Sequence, residues 1–532
     1  MLINGPTALI FVLVLVLVLV LDLLPQPTPV ITNSPMSNPV IESDQPLTAS
    51  PAPTSHPRGL YTLFFTEMWE RLSYYGMRAL LILFMVDSAR GGMGLDDKTA
   101  SSIYGLYTAG VYLAALPGGW LADRLLGAQN AVWYGGLIIA AGHFTLAIPR
   151  PEAFFAGLIL VVIGTGLLKP NVSAIVGELY PEGGARRDAG FSLFYMGINL
   201  GAFIGPFVCG TLGEKYNWHF GFGSAGVGMV LGLVQYRILR KSLGSAGAHR
   251  GKSGGLNPRE KLVFLGSVGV MAVIMLLGFT RIMRFNPIAI AGGSSAVLVG
   301  VAVLFFGVVF VRGQLSRPER LRVSVIVIIC VAAALFWAGF EQAGSSFNLF
   351  AERYTQRQFG FEIPTSWFQS LGPIFVITLA PVMAALWVRL GRKNLDPSLP
   401  MKFGLGLLLL ALGFAVMAGA AVFVARGQKV LPTWLTLTYL LHTFGELCVS
   451  PVGLSSVTKL APKHLTGQMM GAWFLATSLG NLIAGRIAGE FDPSAVAQMP
   501  GRFLQMVILP AAVALVIIAL RKPIRNMMGG VH

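Results

Sequence analysis

The chain has 532 residues, of which 54% are hydrophobic and 12% charged, with a mean hydropathy of +0.69. These values lie outside the range of soluble globular domains and point to lipid as the solvent for most of the chain. The net charge of +16 does not mark a nucleic-acid binder, because the basic residues sit in short breaks between apolar stretches and build no Lys/Arg-rich face on a soluble domain.

Residues 8–24 form an apolar run with no basic segment before it and no clear small-residue cleavage site after it. The Pro-, Ser- and Thr-rich linker that follows, through His56, is expected to be disordered. Met36 is taken as the native start, which makes residues 1–57 a disordered or non-native extension.

From there, apolar stretches of about 20 residues, each able to cross a bilayer as a helix, recur to the end of the chain. They predict helices near 61–87, 100–122, 130–149, 153–177, 190–212 and 218–239. Two more follow at 260–281 and 287–311, then six at 321–345, 365–390, 401–424, 431–455, 466–490 and 502–521. The expected architecture is an all-α polytopic membrane protein with 14 transmembrane helices. It divides into a six-helix bundle (58–242), a loop with two additional helices (243–317), a second six-helix bundle (318–522) and a short tail (523–532). Cys209, Cys330 and Cys448 fall inside spans without metal-ligand or CxxC spacing and read as small core residues.

Lys and Arg accumulate in cytoplasmic loops. Alternating the connections puts 24 of the 39 on the side of Arg58 and 11 on the other, with Arg71, Arg78, Lys169 and Arg486 within or at the edges of spans. Both ends of the helical core, and the basic loop from Arg237 to Lys261, are therefore expected in the cytoplasm.

An ionisable group inside a span costs at least ~2.5 kcal/mol on insertion scales and is a functional candidate by default. The first helix carries Glu67, Glu70, Arg71, Tyr74, Tyr75 and Arg78 at i, i+3, i+4, i+7, i+8 and i+11. At about 100° per residue these fall in one stripe and form one wall of a polar cavity. The bland alternative is a salt-bridged stripe that only fixes packing. The fourth span carries Lys169 ahead of Pro170, and Glu67 or Glu70 is its expected carboxylate partner. In the second half three faces share i, i+4, i+8 spacing: Trp337, Glu341 and Ser345; His442, Glu446 and Ser450; Trp473, Thr477 and Asn481. Glu341 and Glu446 then face Arg78 and Lys169 if the halves surround a central cavity. His442 reads as a satisfied core histidine, and for the two tryptophans packing and pocket lining stand even.

Three spaced motifs resemble a known family. Glu67, Glu70 and Arg71 with Tyr74, Tyr75 and Gly76 match the extended ExxER signature of the proton-dependent oligopeptide transporters, a branch of the major facilitator superfamily. The segment Gly118 to Gly142, GGWLADRLLGAQNAVWYGGLIIAAG, is similar to their first long signature and contains the GxLaDR turn at Gly119, Asp123 and Arg124. FYMGINLGAF, Phe194 to Phe203, is similar to the second. The resemblance spans about residues 58–521.

It implies a major facilitator superfamily fold, alternating access around a midplane site, and the bacterial cytoplasmic (inner) membrane as location. It implies uptake of di- and tripeptides driven by the proton gradient, with no cofactor, metal or catalytic residue. Glu67, Glu70, Arg71, Lys169 and Glu341 are implied in proton coupling, with Lys169 bridging to the ExxER segment. Arg78 and Lys169 are implied to meet a peptide carboxylate and Glu341 its amino terminus. Tyr74, Tyr75, Tyr107, Asn199, Trp337, Trp473 and Thr477 line the pocket, with Tyr104 a register alternative to Tyr107. Glu446 is implied in the pocket and the inner gate, near Lys or Tyr groups of the first half, and Asp123 and Arg124 in gating. Three positions depart from the pattern: Gly372 where Asn is expected, Phe340 where some relatives carry a second Glu, and Ala202 where the second signature often has Ser. These departures leave open another small zwitterion or anion, such as an amino acid, nitrate or a peptide-like drug, as substrate. A membrane enzyme would need a nucleophile with its base or spaced metal ligands, and no HExxH, GxSxG or His/Asp cluster is present. Short peptides, protons and lipid are the expected partners, and the chain is expected to be a monomer because its spans carry no strong small-xxx-small face.

Overall fold

The computed structural model describes residues 55–182, 184–248, 286–491 and 493–530, with isolated positions between 262 and 280. The expected start at Met36 lies outside the described residues, and so does nearly all of the expected helix at 260–281. Among the described residues the other spans are all helical. The first half holds α1 (Arg58–Val86), α2 (Asp97–Leu121), α3 (Ala128–Leu146), α4 (Pro151–Glu178), α5 (Gly184–Gly205), a short α6 (Thr211–Lys215) and α7 (Trp218–Leu239). Then come α8 (Pro287–Arg312), α9 (Arg317–Phe340), α10 (Ser346–Tyr354), α11 (Leu371–Arg392), α12 (Leu399–Ala425), α13 (Thr433–Leu460), α14 (Thr466–Ala488), α15 (Met499–Ala519) and α16 (Arg521–Met527).

Local chemistry sets several boundaries. Asp96 caps α2 by accepting from the Thr99 amide at 2.9 Å. Ser316 and Glu319 form a reciprocal box at the start of α9, with Pro318 in the first turn. The ninth span is longer than expected and broken. It passes from α9 into a 3₁₀ turn at Glu341–Gly344, leaves helical geometry at Ser345 and resumes as α10. The break places Glu341 at a helix end inside the molecule. A short hairpin with two residues per strand, β1 (Gln358–Phe359) with β2 (Phe361–Glu362), turns at Gly360, φ 76°, and leaves the all-α class unchanged.

In the first half α1 packs on α5 and α7, and α4 lies against α2 and α3; in the second, α12 packs on α13 and α15, and α9 on α14. The halves meet most extensively through α2 with α14 and α5 with α11, and shorter contacts join α1 to α10 and the Pro206–Gly210 turn to Thr365–Ser370. The additional helix α8 sits on the seam, where Leu298, Val297 and Val301 meet Ala109 and Leu113 of α2 and Leu475 and Leu482 of α14.

Eight described helical segments are long and apolar enough to cross a membrane by length and composition alone. α1 is not one of them, because its charged stripe lowers its hydropathy; the stripe is buried in protein instead. The hydrogen bonds and ion pairs joining described residues of the two halves lie from the middle of the molecule toward the end that carries residues 87–96. That end is closed. Toward the opposite end Tyr195 and Met196 of α5 are exposed, as is most of α11 beyond Val376.

Candidate functional site

Glu67, Glu70, Arg71, Tyr74 and Arg78 share one face of α1 and all are buried, with Tyr75 at its edge. Arg71 Nε donates to Glu67 Oε1 at 2.7 Å and lies 3.1 Å from Glu70 Oε2. One guanidinium thus serves two carboxylates, and Glu67 Oε2 and both Glu70 oxygens have no hydrogen-bond partner. Counted as ions, the triad carries one uncompensated negative charge in surroundings that screen it poorly.

Lys169 does not take up that charge directly. The expected ion pair with Glu67 or Glu70 is not formed; Lys169 Nζ lies 3.9 Å from the centre of the Tyr112 ring. The reason is packing: α4 runs along α2 and barely touches α1, whereas Arg71 reaches both glutamates from within its own helix. Tyr112 was not legible as a site residue, since it carries no charge and stands in no recognised spacing.

At the middle of the molecule Arg78 of α1 forms an ion pair with Glu341 of the second half. Arg78 Nε also donates to Tyr104 Oη at 2.5 Å, and its guanidinium carbon lies 5.6 and 5.7 Å from the Tyr75 and Tyr104 ring centres. Tyr107 stacks on Tyr74 at 6.2 Å with its hydroxyl buried and unpartnered. Both register alternatives on α2 therefore reach the polar stripe of α1, Tyr104 against Arg78 and Tyr107 against Tyr74. Trp337, one turn before Glu341, packs edge-on against Phe336 and Phe340 and leaves its indole N–H unpartnered.

Other expected residues stay within their own helices. Asn199 donates to the Tyr195 carbonyl, Thr477 to that of Trp473 and Asn481 to that of Thr477. Trp473 is buried against Gly453, where a Cβ would strike its ring, so packing accounts for this tryptophan. His442 lies among Phe340, Phe347 and Phe414 with Nε2 3.2 Å from the Leu410 carbonyl, a core histidine as expected. Glu446 makes no ion pair or hydrogen bond among the described residues; the expected pairing with a Lys or Tyr of the first half is not formed. Asp123 and Arg124 lie exposed in a π-helical turn, Ala122–Leu126. A Cβ at Gly372 would meet nothing within 4 Å, so the absent Asn side chain leaves space. No cluster of three metal-ligating side chains occurs among the described residues.

The arrangement offers a cation and an anion, paired across the seam and ringed by tyrosines. A zwitterion could engage both. Comparison with known proteins bears on this directly. The model of the POT family (PTR2) matches residues 129–500. The chain is 45% identical over 487 residues to the peptide transporter YePEPT of Yersinia enterocolitica, covering 89% of this chain and 95% of the relative. It is 36% identical over 490 residues to a di-/tripeptide transporter of Lactococcus lactis, covering 90% and 97%. A crystal structure of a mutant of the peptide transporter POT in complex with alafosfalin superposes with a TM-score of 0.82 at 42% identity, covering 90% of this chain and 97% of that one.

Proposed function

The chain belongs to the POT family, and from that premise we propose that it takes up di- and tripeptides with protons by alternating access. The observation that carries the reading is the buried Arg78–Glu341 pair, which both joins the halves and presents the two charges a peptide's termini need. A peptide carboxylate competes with Glu341 for Arg78, and a peptide amino group competes with Arg78 for Glu341. Binding therefore replaces a direct link between the halves by one that runs through the substrate, and only a difference in affinity between conformations can drive the change.

The proton's role follows from charge counting at Glu67, Glu70 and Arg71. A proton on either carboxylate leaves a one-to-one ion pair, and Lys169 on α4 is the next cation able to respond. Glu446, unpaired here, is the partner available to the first half when the open end closes. Asn199, Trp337 and Thr477 line the path of the peptide, and Asp123 and Arg124 act in the movement of the halves. The moving bodies are 58–242 and 318–522, with 243–317 between them.

The protein works in the bacterial cytoplasmic membrane with its open end facing the cytoplasm, which agrees with the excess of Lys and Arg in the connections at that end. It acts as a carrier rather than an enzyme and needs no cofactor. Uptake of labelled dialanine into proteoliposomes, with and without an imposed inward proton gradient, tests the reading: accumulation only with the gradient is expected. Gradient-independent equilibration would overturn symport, and no dialanine uptake by folded protein would turn the assignment to another small zwitterion or anion.

A further inference from the structure

Beyond the peptide site, the closed end holds a contact of a different kind. The helix leading into α11 begins with a 3₁₀ turn, Thr365–Ser370, whose N-cap position is Pro364. Proline has no side-chain acceptor, so this segment supplies no cap for its own first amides. The cap comes from the other half of the molecule. Glu214 Oε2 accepts from the Thr365 amide at 2.7 Å and Oε1 from the Ser366 amide at 2.8 Å.

The sequence around both partners is shaped for this approach. A π-helical turn at Pro206–Gly210 shifts the register between α5 and α6, which carries Glu214. A Cβ at Gly210 would collide with the Ser366 side chain. Trp367 Nε1 donates to Thr211 Oγ1 at 3.0 Å, and Ser370 Oγ to the Phe203 carbonyl at 2.8 Å, so the cap continues as a seam along α5 and α6. Arg90 steadies it, with Nη1 3.3 Å from the Glu214 carbonyl and Nη2 3.8 Å from Glu352, which in turn takes a hydrogen bond from Thr365 Oγ1 and an ion pair from Arg357.

We infer that Glu214 is a positioning residue for transport, a carboxylate latch that holds the peptide-entry end closed by capping a helix of the opposite half. It touches neither the Arg78–Glu341 pair nor the Arg71 triad, so it sets how readily the closed end opens without being part of the peptide site. Opening that end strips two charge-assisted hydrogen bonds from Glu214 and uncaps the helix in one step. The inference rests on the alternating-access reading.

The test reads the closed end directly. Spin labels are placed on Tyr216→Cys and Phe359→Cys, one on each side of the seam and both exposed; the three native cysteines are buried. Distance distributions are recorded in nanodiscs for the otherwise wild-type chain, Glu214→Ala and Glu214→Gln. Removing a helix cap is expected to raise the ratio of long-distance to short-distance populations roughly 3- to 20-fold in Glu214→Ala. Glu214→Gln keeps one acceptor oxygen without the charge and should fall between the two. The same variants should change the KM for external peptide more than binding to the open end. An unchanged distribution in folded Glu214→Ala overturns the latch, and so does an unchanged distribution in Glu214→Gln if the alanine variant does not fold. Because the distances need no substrate, a shifted distribution with no peptide uptake would count against the proposed substrate and leave the latch standing.

Discussion

Arg353 at the end of α10 grips Asp97 at the start of α2 with both terminal nitrogens, at 2.5 and 2.7 Å, and so ties the second half to the first at the closed end. Two parallel bonds from a planar guanidinium to a carboxylate fix orientation as well as distance. Arg353→Lys keeps the charge but loses the fork, and should shift the equilibrium toward opening of this end by a few-fold. The exchange Arg353→Asp with Asp97→Arg should restore part of the shift. Labelling of an engineered cysteine in the seam by a membrane-impermeant maleimide measures it; equal rates in wild type and Arg353→Lys would count against a gating role.

Lys169 faces the Tyr112 ring rather than a carboxylate, yet it is the cation nearest in charge logic to the Glu67, Glu70 and Arg71 triad. Lys169→Ala is expected to abolish gradient-driven accumulation and retain peptide counterflow. Tyr112→Phe, which keeps the ring face, should stay within about threefold of wild type, while Tyr112→Leu removes the cation–π contact of about 0.5–2 kcal/mol and should fall further.

The crossing of α2 and α14 depends on Gly105 and Gly485. A Cβ at Gly105 would sit 3.0 Å from the Gly485 Cα, and one at Gly485 2.6 Å from the Ser101 carbonyl. Neither backbone can yield without separating the halves. Gly485→Ala should cost about 1–3 kcal/mol of the closed-end contact by overpacking, seen as a loss of the short-distance population between labels on α2 and α14 with the helices still folded.

Asp87 closes α1 and accepts from Trp218 Nε1 at 2.9 Å and from the amides of Arg90 and Gly92 at 2.9 and 3.2 Å. Partial burial opposes its charge, but the Trp218 bond, the two amides and the Arg90 charge outweigh it and hold the carboxyl below its ordinary value of 3.8. A carboxylate lowered in the folded state stabilises it above the unfolded value and loses that contribution as pH falls through the folded one. Thermal stability in detergent should therefore decline below about pH 4 more steeply in wild type than in Asp87→Asn, and parallel curves would remove Asp87 as a contributor.

The stripe on α1, the recurrence of apolar spans and the motifs from Glu67 to Phe203 were legible because they are properties of single helices. Periodicity near 3.6 residues puts Arg71 one turn from Glu67 whatever surrounds them, and hydropathy assigns spans without knowledge of neighbours. What only the tertiary structure decided is which helices lie side by side and which end is shut. α4 runs along α2, so Lys169 meets Tyr112 instead of a glutamate. The ninth span breaks at Glu341, which brings that carboxylate to Arg78. Glu446 has no charged partner among the described residues because the helices packed around it bring none within reach, and Glu214 caps a helix that lies more than a hundred residues away in sequence. Spacing along one helix sets a face, but a pair across a seam depends on crossing geometry and on the conformation in which the two halves meet.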